Sequence, residues 1–589
     1  MPPISTKTDK PRNTKKALGR IMTYISSCKV LFIIAVILAV AGNVLALIGP
    51  NLSGKAIDVI AAGKGQVDFN KIYYYVGLMI VFYVISVVMS YALSVIMIKV
   101  ARSIAGKMRQ DVFEKLMKLP VGYFDKNQAG DIISRVSYDI DVINSSISTD
   151  VVQIVSSLVT IVFSLVMMFV ISKSLMVVVL VTLPVSIIYT KYMSKRTRPL
   201  FSKRSKSYGR MNGFTEEMFS GHKSIQAYAN EEGVIDDFAI VNMDAADAYY
   251  NADYMATLIG PSVNFINNLS LALVAIVGAL LYLFGNISVG SISSFVLYSR
   301  KFSGPVNEIA NMLNEILSAL AAAERVFAIL DEPEEAADSD DVTDIDNVKG
   351  EVEFDNVSFG YDANKMILKN VNLKAKPGQV IAIVGPTGAG KTTTISLLMR
   401  FYEINKGSIY LDGVNIQDMA RKSLRKAYTM VLQDTWIFNG TIRDNIAYAK
   451  ENATDEEVIA AAKAARLHSY IMTLPKGYDT VINGDGNNIS KGQKQLITIA
   501  RAMLDDSALL ILDEATSNVD TRTEKAIQKA MLELMKGKTS FVIAHRLSTI
   551  QNADLILVVK DGNIVEQGTH ESLLDTKGVY YEMYSSQYM

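Results

Sequence analysis

The stretch Gly385-Pro386-Thr387-Gly388-Ala389-Gly390-Lys391-Thr392 has residue types and spacing suited to phosphate chemistry. It follows an apolar strand, Val380–Val384, and opens a helical run, so the order is strand, glycine-rich loop, helix. Glycines let the backbone wrap closely around phosphate oxygens. Successive amides and the helix N-terminus turn positive partial charge toward them, and Lys391 reaches the β and γ oxygens of a nucleoside triphosphate. Thr392 would give its hydroxyl to Mg²⁺, and Thr393 completes the candidate binding set. A second strand, 508–512, is wholly aliphatic and ends in Asp513-Glu514. That pattern fits a buried parallel strand delivering carboxylates at its C-terminal edge, where ligands bind in open α/β sheets. Asp513 would hold magnesium through water, and Glu514 would orient and deprotonate an attacking water. Alone, an acidic pair after a strand also reads as a helix cap; the phosphate loop upstream favours chemistry. Gln433, just after Met430-Val-Leu, can reach magnesium or the attacking water, although by itself it reads as a polar loop residue. His545 ends the strand 541–544 and could touch a γ-phosphate, and Tyr361 follows strand Val352–Phe359 and could stack on adenine.

These residues need a scaffold, and the chain supplies two kinds. From Glu351 onward short β-rich runs alternate with helices, and a DG turn at Asp561-Gly562 joins two strands as a hairpin, predicting an α/β domain over 351–589. Before residue 320 the pattern is different. Six apolar stretches, 30–49, 72–100, 151–171, 175–192, 257–285 and 289–312, approach the length of about 20 residues that crosses a bilayer as a helix. They define an all-α membrane domain of six helices over 30–325, preceded by a basic segment, 1–29, and followed by an acidic, aromatic-poor linker, 326–350. No small-residue cleavage site follows the first stretch, so it reads as an uncleaved span. Basic residues cluster in 1–29, 101–150 and 193–255, which places the N-terminus and those segments in the cytoplasm. The latter two keep apolar residues at helical spacing and read as helices extending out of the membrane.

Half of the 589 residues are hydrophobic and only 20% are charged, which excludes disorder. Lys+Arg and Asp+Glu balance at 59 each, so nothing in the charge calls for nucleic acid. A single cysteine, Cys28, excludes an intrachain disulfide, and with four histidines no metal chemistry other than magnesium is expected.

Together these residues resemble the ATP-binding cassette (ABC) transporters of the exporter type, in which six spans precede one P-loop NTPase domain. The most discriminating match is NISKGQKQ, Asn488 to Gln495, which is similar to the family signature LSGGQ and lies between the phosphate loop and LLILDEATS. FDNVSFGYD with Tyr361, LQDTWIFNGTIRDNI with Gln433, SNVD with Asp520 and AHRLSTI with His545 match as well. GYFDKNQAGDIISRVSYDID and EEMFSGHKSIQAYANEE resemble the cytoplasmic segments that dock on the ATPase domains. The resemblance implies a dimer of such chains in the cytoplasmic membrane. Two ATPs with Mg²⁺ would be sandwiched between the phosphate loop of one chain and Ser490, Gly492 and Gln493 of the other. It implies ATP-driven export of hydrophobic or amphipathic compounds, drugs or lipids. A lipid flippase, a peptide exporter and an ATP-gated membrane regulator are the alternatives.

Two positions depart from the pattern. Lys491 stands where the signature has its first glycine, and Gly484 stands where many relatives have glutamate. Both belong to the surface offered to a partner's nucleotide, which favours a heterodimer with a second half-transporter chain over a homodimer. Acids are scarce in the spans, which speaks against a proton or metal path. Arg300 and Lys301 in the last span either face a cavity or snorkel to the inner surface, and Asn264, Asn267 and Asn268 form a polar patch in the fifth.

Overall fold

The computed structural model describes residues 13–338, 342, 344–345, 347–362, 365–433, 435–482, 489–513, 520–544 and 550–588. They divide into two compact units. One comprises 13–118 with Gln128–Glu332, the other Leu119–Asn127 with Pro333 onward.

The first unit is helical. A short helix α1 (Thr14–Ser26) leads into α2 (Lys29–Ile60) and α3 (Phe69–Lys118). Short helical segments from Ala129 to Asp150 lead into α5 (Val151–Ile171), which is followed by α6 (Lys173–Ser220), α7 (Glu231–Thr257), α8 (Ile259–Leu283) and α9 (Val289–Asp331). At about 1.5 Å per residue α3 is roughly 75 Å long, more than twice a hydrocarbon core of about 30 Å, so it continues well past the bilayer. The 48-residue α6 does the same. Between α5 and α6 the chain reverses at Ser172 alone, whose hydroxyl accepts the Leu175 amide at 3.3 Å. Five described stretches are long and apolar enough to cross a membrane: Lys29–Ile60, Phe69–Lys118, Ala129–Ile171, Lys173–Ser220 and Glu231–Leu283. The sixth expected span lies within α9, whose serines and Arg300-Lys301 pair make it more polar than the rest. That helix runs on through Asp331, into the stretch expected as linker, because Val326, Phe327 and Ile329 stay buried.

Helices α2 and α9 meet almost backbone to backbone. A Cβ on Gly290 would lie 1.9 Å from the Gly54 carbonyl oxygen, so neither position has room for a side chain. Around that contact Asp58 accepts the Gly290 amide at 2.7 Å and the Ser288 hydroxyl at 2.8 Å. Ser294 donates to the Pro50 carbonyl at 2.9 Å and Tyr298 to that of Leu47 at 2.7 Å. Farther along α9, Arg325 holds buried Asp139 in a two-pronged bond of 2.6 and 2.8 Å. Asp139 ends a π-helical turn, Arg135–Asp139.

The second unit is built on two sheets. Strands β1 (Val352–Phe359), β2 (Leu368–Ala375), β4 (Lys406–Leu411) and β5 (Val414–Asn415) form an antiparallel sheet in the order β2-β1-β4-β5. The other sheet contains β3 (Val380–Val384), β6 (Tyr428–Val431), β9 (Leu509–Asp513), β10 (Thr539–Ile543), β11 (Leu555–Lys560) and β12 (Asn563–Gly568). Its order is β12-β11-β3-β10-β9-β6. It is parallel except for the β11–β12 hairpin, whose turn is the expected Asp561-Gly562 with both residues at positive φ. The pair β7 (Gly440–Thr441) and β8 (Val481–Ile482) stands apart. Ile395, Leu397 and Leu398 of a helix, α10 (Lys391–Leu398), join Phe354 and Leu373 of the first sheet and Ile381 and Ile383 of the second in one core. The helix after the phosphate loop is thereby fixed between the two layers.

Segment Leu119–Asn127, which includes helix α4 (Val121–Lys126), belongs to this unit although the rest of 13–332 belongs to the first. Gly122 allows it to approach Tyr402, since a Cβ there would lie 2.9 Å from the Tyr402 ring, and the Tyr402 hydroxyl donates to Asp125.

Candidate nucleotide site

The phosphate loop leaves β3 at Gly385, where a Cβ would lie 2.1 Å from the Val559 carbonyl oxygen, and turns into α10 through Gly390 at φ +107°. Only glycine accommodates both demands. Lys391, mostly buried, donates to the carbonyls of Gly385 at 2.8 Å and Pro386 at 3.0 Å, so its ammonium lies across the mouth of the loop. Burial lowers its pKa from the usual lysine value, and the Asp513 carboxylate opposes that shift. Thr392 is exposed at the start of α10, while Thr393 is buried and its hydroxyl lies 3.2 Å from that of Tyr361. Tyr361 is 43% exposed and packs edge-on against Phe359 and Tyr402, with ring centroids 5.0 and 4.9 Å away.

Parallel pairing decides which other groups share this edge. Ile543 of β10 aligns with both Ile383 of β3 and Asp513 of β9, so Asp513 stands level with the end of the phosphate-loop strand, two strands away. Two strand spacings are about 9–10 Å, a gap that a triphosphate and a hydrated cation span. The strand expected over 508–512 ends one residue later than its aliphatic run, with Asp513 still in the ladder. Val431 of β6 aligns with Leu512, and Gln433 follows, exposed, at the same edge. Glu514, His545, Gly484 and Asn488 lie outside the described residues; the chain leads toward the first two from Asp513 and from Ala544, at the ends of neighbouring strands.

The signature segment begins a helix, α11 (Lys491–Met503). Ser490 is its N-cap and forms a capping box with Gln493: the Gln493 amide donates to Ser490 Oγ at 3.3 Å and the Ser490 amide to Gln493 Oε1 at 2.8 Å. Lys491 is the first helical residue and is exposed, whereas Gly492 is buried. The helix therefore presents its positive end to solvent with an extra cation beside it. Asp520 caps the following helix, α12 (Thr521–Met535), by accepting the amides of Arg522 at 3.1 Å and Thr523 at 3.0 Å. The Thr523 amide holds its carboxyl below the ordinary aspartate range.

Tyr402 was not singled out from sequence. It touches Tyr361 on one side and Asp125 on the other, linking the segment around Gly122 to the aromatic next to the phosphate loop. Burial, and then its bond to Asp125, raises the phenol's pKa above the usual tyrosine value, so it remains a donor at neutral pH. Partners 277 residues apart leave no local signal. A second unforeseen cluster holds the linker: buried Arg421 donates to Asp338 at 3.0 Å and to Glu403 at 2.6 Å, and Arg425 pairs with Glu335.

A phosphate loop and a strand-end aspartate on one edge of a parallel sheet, in a chain with long apolar helices, define an ATP-using membrane protein. Family models agree on both halves: the ABC transporter transmembrane region matches residues 32–306 and the ABC transporter model matches residues 368–517. An uncharacterized ABC transporter ATP-binding protein of Bacillus subtilis (strain 168) is 44% identical over 99% of this chain and 96% of its own. A fatty acid ABC transporter ATP-binding/permease protein of Mycobacterium bovis is 47% identical over 81% of this chain and 75% of its own. The solved structure of a bacterial Atm1-family ABC exporter with ATP bound aligns with a TM-score of 0.75 at 28% identity, covering 95% of this chain and 98% of that one. The chain belongs to the ABC transporters. It is an exporter-type half-transporter, a membrane protein that binds ATP and couples its hydrolysis to transport.

Proposed function

We propose that the chain exports hydrophobic or amphipathic compounds, lipids or drugs, across the cell membrane, with its N-terminus and ATPase domain in the cytoplasm. The observation that carries this is the shared sheet edge of the phosphate loop and Asp513 in a chain with long apolar helices. The fatty acid transporter among its relatives supports an amphiphilic cargo. Residues Gly385 to Thr393 would cradle the triphosphate, with Tyr361 against adenine and the Lys391 ammonium turned from loop carbonyls to phosphate oxygens. The donor set at the edge suits a hard cation: Thr392, Asp513 and Gln433 offer oxygens only, as Mg²⁺ requires. The cation would neutralise phosphate charge. Glu514 would orient and deprotonate the attacking water, with Gln433 and His545 as further contacts to the water and the γ-phosphate.

The second half of each ATP site would come from another chain, through Ser490, Gly492 and Gln493 at the N-terminus of α11 and through Asp520. Lys491 favours a non-identical partner. Its side chain occupies a position where backbone and phosphate would otherwise meet closely, so the nucleotide facing it would be held differently from the one on this chain's own loop. Closure on ATP and reopening after hydrolysis would drive alternating access, provided cargo binds one state better than the other. The test is hydrolysis and transport in inverted vesicles made with this chain alone and with a second half-transporter. Cargo-stimulated turnover only with the second chain supports the full reading. A stable, cargo-stimulated dimer of this chain alone defeats the heterodimer, and ATP turnover without net transport by either preparation defeats export.

A further inference from the structure

We infer that the exposed face of α9 carries an anion site inside the membrane, built on Arg300 and Lys301, that takes the headgroup of a long-chain carboxylate. The inference rests on the export reading and assigns its cargo class. Depth comes first. Asp58 and the Ser288 hydroxyl mark one polar boundary at the start of α9, and Arg300 lies eleven residues beyond Val289. At about 1.5 Å per residue that is roughly 16 Å, the midplane of a core about 30 Å thick. From there neither stem carries its charge to an interface, so snorkelling is not available to them.

Direction comes next. Phe295, Tyr298 and Phe302 are 0, 0 and 3% exposed and pack with Met168, Leu175 and Val274 of the chain's own helices. At about 100° per residue, Arg300, Lys301, Gly304, Glu308 and Glu315 fall within an arc of about 100° on the other side. All five are exposed, and a Cβ on Gly304 would meet nothing within 4 Å. Of these, Arg300, Lys301 and Gly304 lie near this depth; two cations there cannot face lipid, where each costs about 2.5–3.5 kcal/mol, so they face an aqueous chamber.

Charge then selects the ligand. Glu308, about two helical turns farther along, turns to α5, accepting from Gln153 at 3.1 Å and the Ser157 hydroxyl at 3.5 Å. Among the described residues, Arg300 and Lys301 have no ion-pair partner. Two adjacent cations without an ion-pair partner, on a helix inside the hydrocarbon core, favour an anion with a hydrocarbon tail.

The experiment uses the full chain, with its partner if one is required, in inverted vesicles. With Cys28→Ser and Gly304→Cys in place, the new thiol is labelled by methanethiosulfonates of like size carrying either a sulfonate or a quaternary ammonium. Rates are corrected for those with free thiol. The sulfonate should react about tenfold faster or more, Arg300→Gln with Lys301→Gln should bring the ratio near one, and hexadecanoate should protect the thiol where hexadecanol does not. Labelling by neither reagent, an equal rate for both, or equal protection by both amphiphiles overturns the inference. Uptake of hexadecanoate into the same vesicles is scored separately: the labelling pattern without ATP-driven uptake keeps the site and defeats export of this cargo, and uptake unaffected by the double substitution does the reverse.

Discussion

At the residue scale, Lys391 has two sets of partners to choose between. In this structure its ammonium satisfies Gly385 and Pro386 carbonyls at the top of the loop, and burial has already weakened its hold on the proton. Triphosphate oxygens offer full charges in place of carbonyl dipoles, so the exchange favours ATP. Lys391→Ala removes the donor and leaves the glycines that shape the loop. Hydrolysis by the purified transporter should fall by about 10²–10³-fold, the usual loss for one charge-stabilising donor. The thermal midpoint without nucleotide should move little, because the two lost bonds are to loop carbonyls that are only partly buried, where water can replace the ammonium. A large drop in midpoint would make Lys391 a structural strut instead. Lys491 occupies the opposite kind of position, exposed on the first turn of α11 with Ser490 and Gln493 already engaged with each other. Lys491→Gly should therefore leave the capping box and the fold intact, and any change in ATP affinity should appear only in the assembled pair, measured by nucleotide titration against the chain alone.

At the element scale, two close contacts carry separate predictions. Where α2 crosses α9, Gly290→Ala forces a Cβ to within 1.9 Å of the Gly54 carbonyl, so the helices must move apart and the Asp58 bonds to Ser288 and Gly290 with them. Overpacking of this kind costs about 1–3 kcal/mol. The purified transporter should melt at lower temperature, whereas Gly77→Ala, with nothing within 4 Å, should melt no earlier. On the second unit, Tyr402→Phe keeps the ring against Tyr361 and Phe359 but removes the donor to Asp125. A hydrogen bond to a charged group contributes about 1.5–3 kcal/mol, so amides of Leu119–Asn127 should exchange with deuterium roughly tenfold faster or more, with the phosphate loop unchanged. These two contacts also show where sequence stops being informative. The phosphate loop, the Asp561-Gly562 hairpin and the cap at Ser490 are set by neighbours a few residues apart, and all three could be read from the chain. The Gly54–Gly290 crossing and the Gly122–Tyr402 approach join residues far apart in sequence, and a glycine inside an apolar or amphipathic run does not announce what will come close to it. The last expected span was legible as a run that forms a helix, α9, but the division between its packed side and its charged side required knowing that Phe295, Tyr298 and Phe302 turn inward.

At the scale of the whole molecule, a half-transporter offers one phosphate loop and one signature helix, each with exposed residues at its end, which in the proposed reading a second chain completes. Ser490 caps the positive end of α11, and Lys391 and Asp513 share a sheet edge; in the proposed reading the edge cradles the triphosphate and a second chain's helix end closes over it. If ATP is the joint between chains, slowing its hydrolysis should lock the pair. Glu514→Gln keeps the side chain's size and removes the proposed base, so the variant should retain ATP through desalting and migrate by light scattering as a two-chain particle that wild type forms only transiently in ATP. Adding Lys391→Ala to the same chain should abolish that retention on its loop, while the site built on Lys491 keeps whatever the second chain's loop can hold. Retained nucleotide would then fall from two per pair toward one for a heterodimer, and toward none for a homodimer, since there both loops carry the substitution. A Glu514→Gln chain that neither retains ATP nor pairs more tightly would mean that the nucleotide is not held between two chains, and the exposed ends of α11 and the phosphate loop would need another explanation.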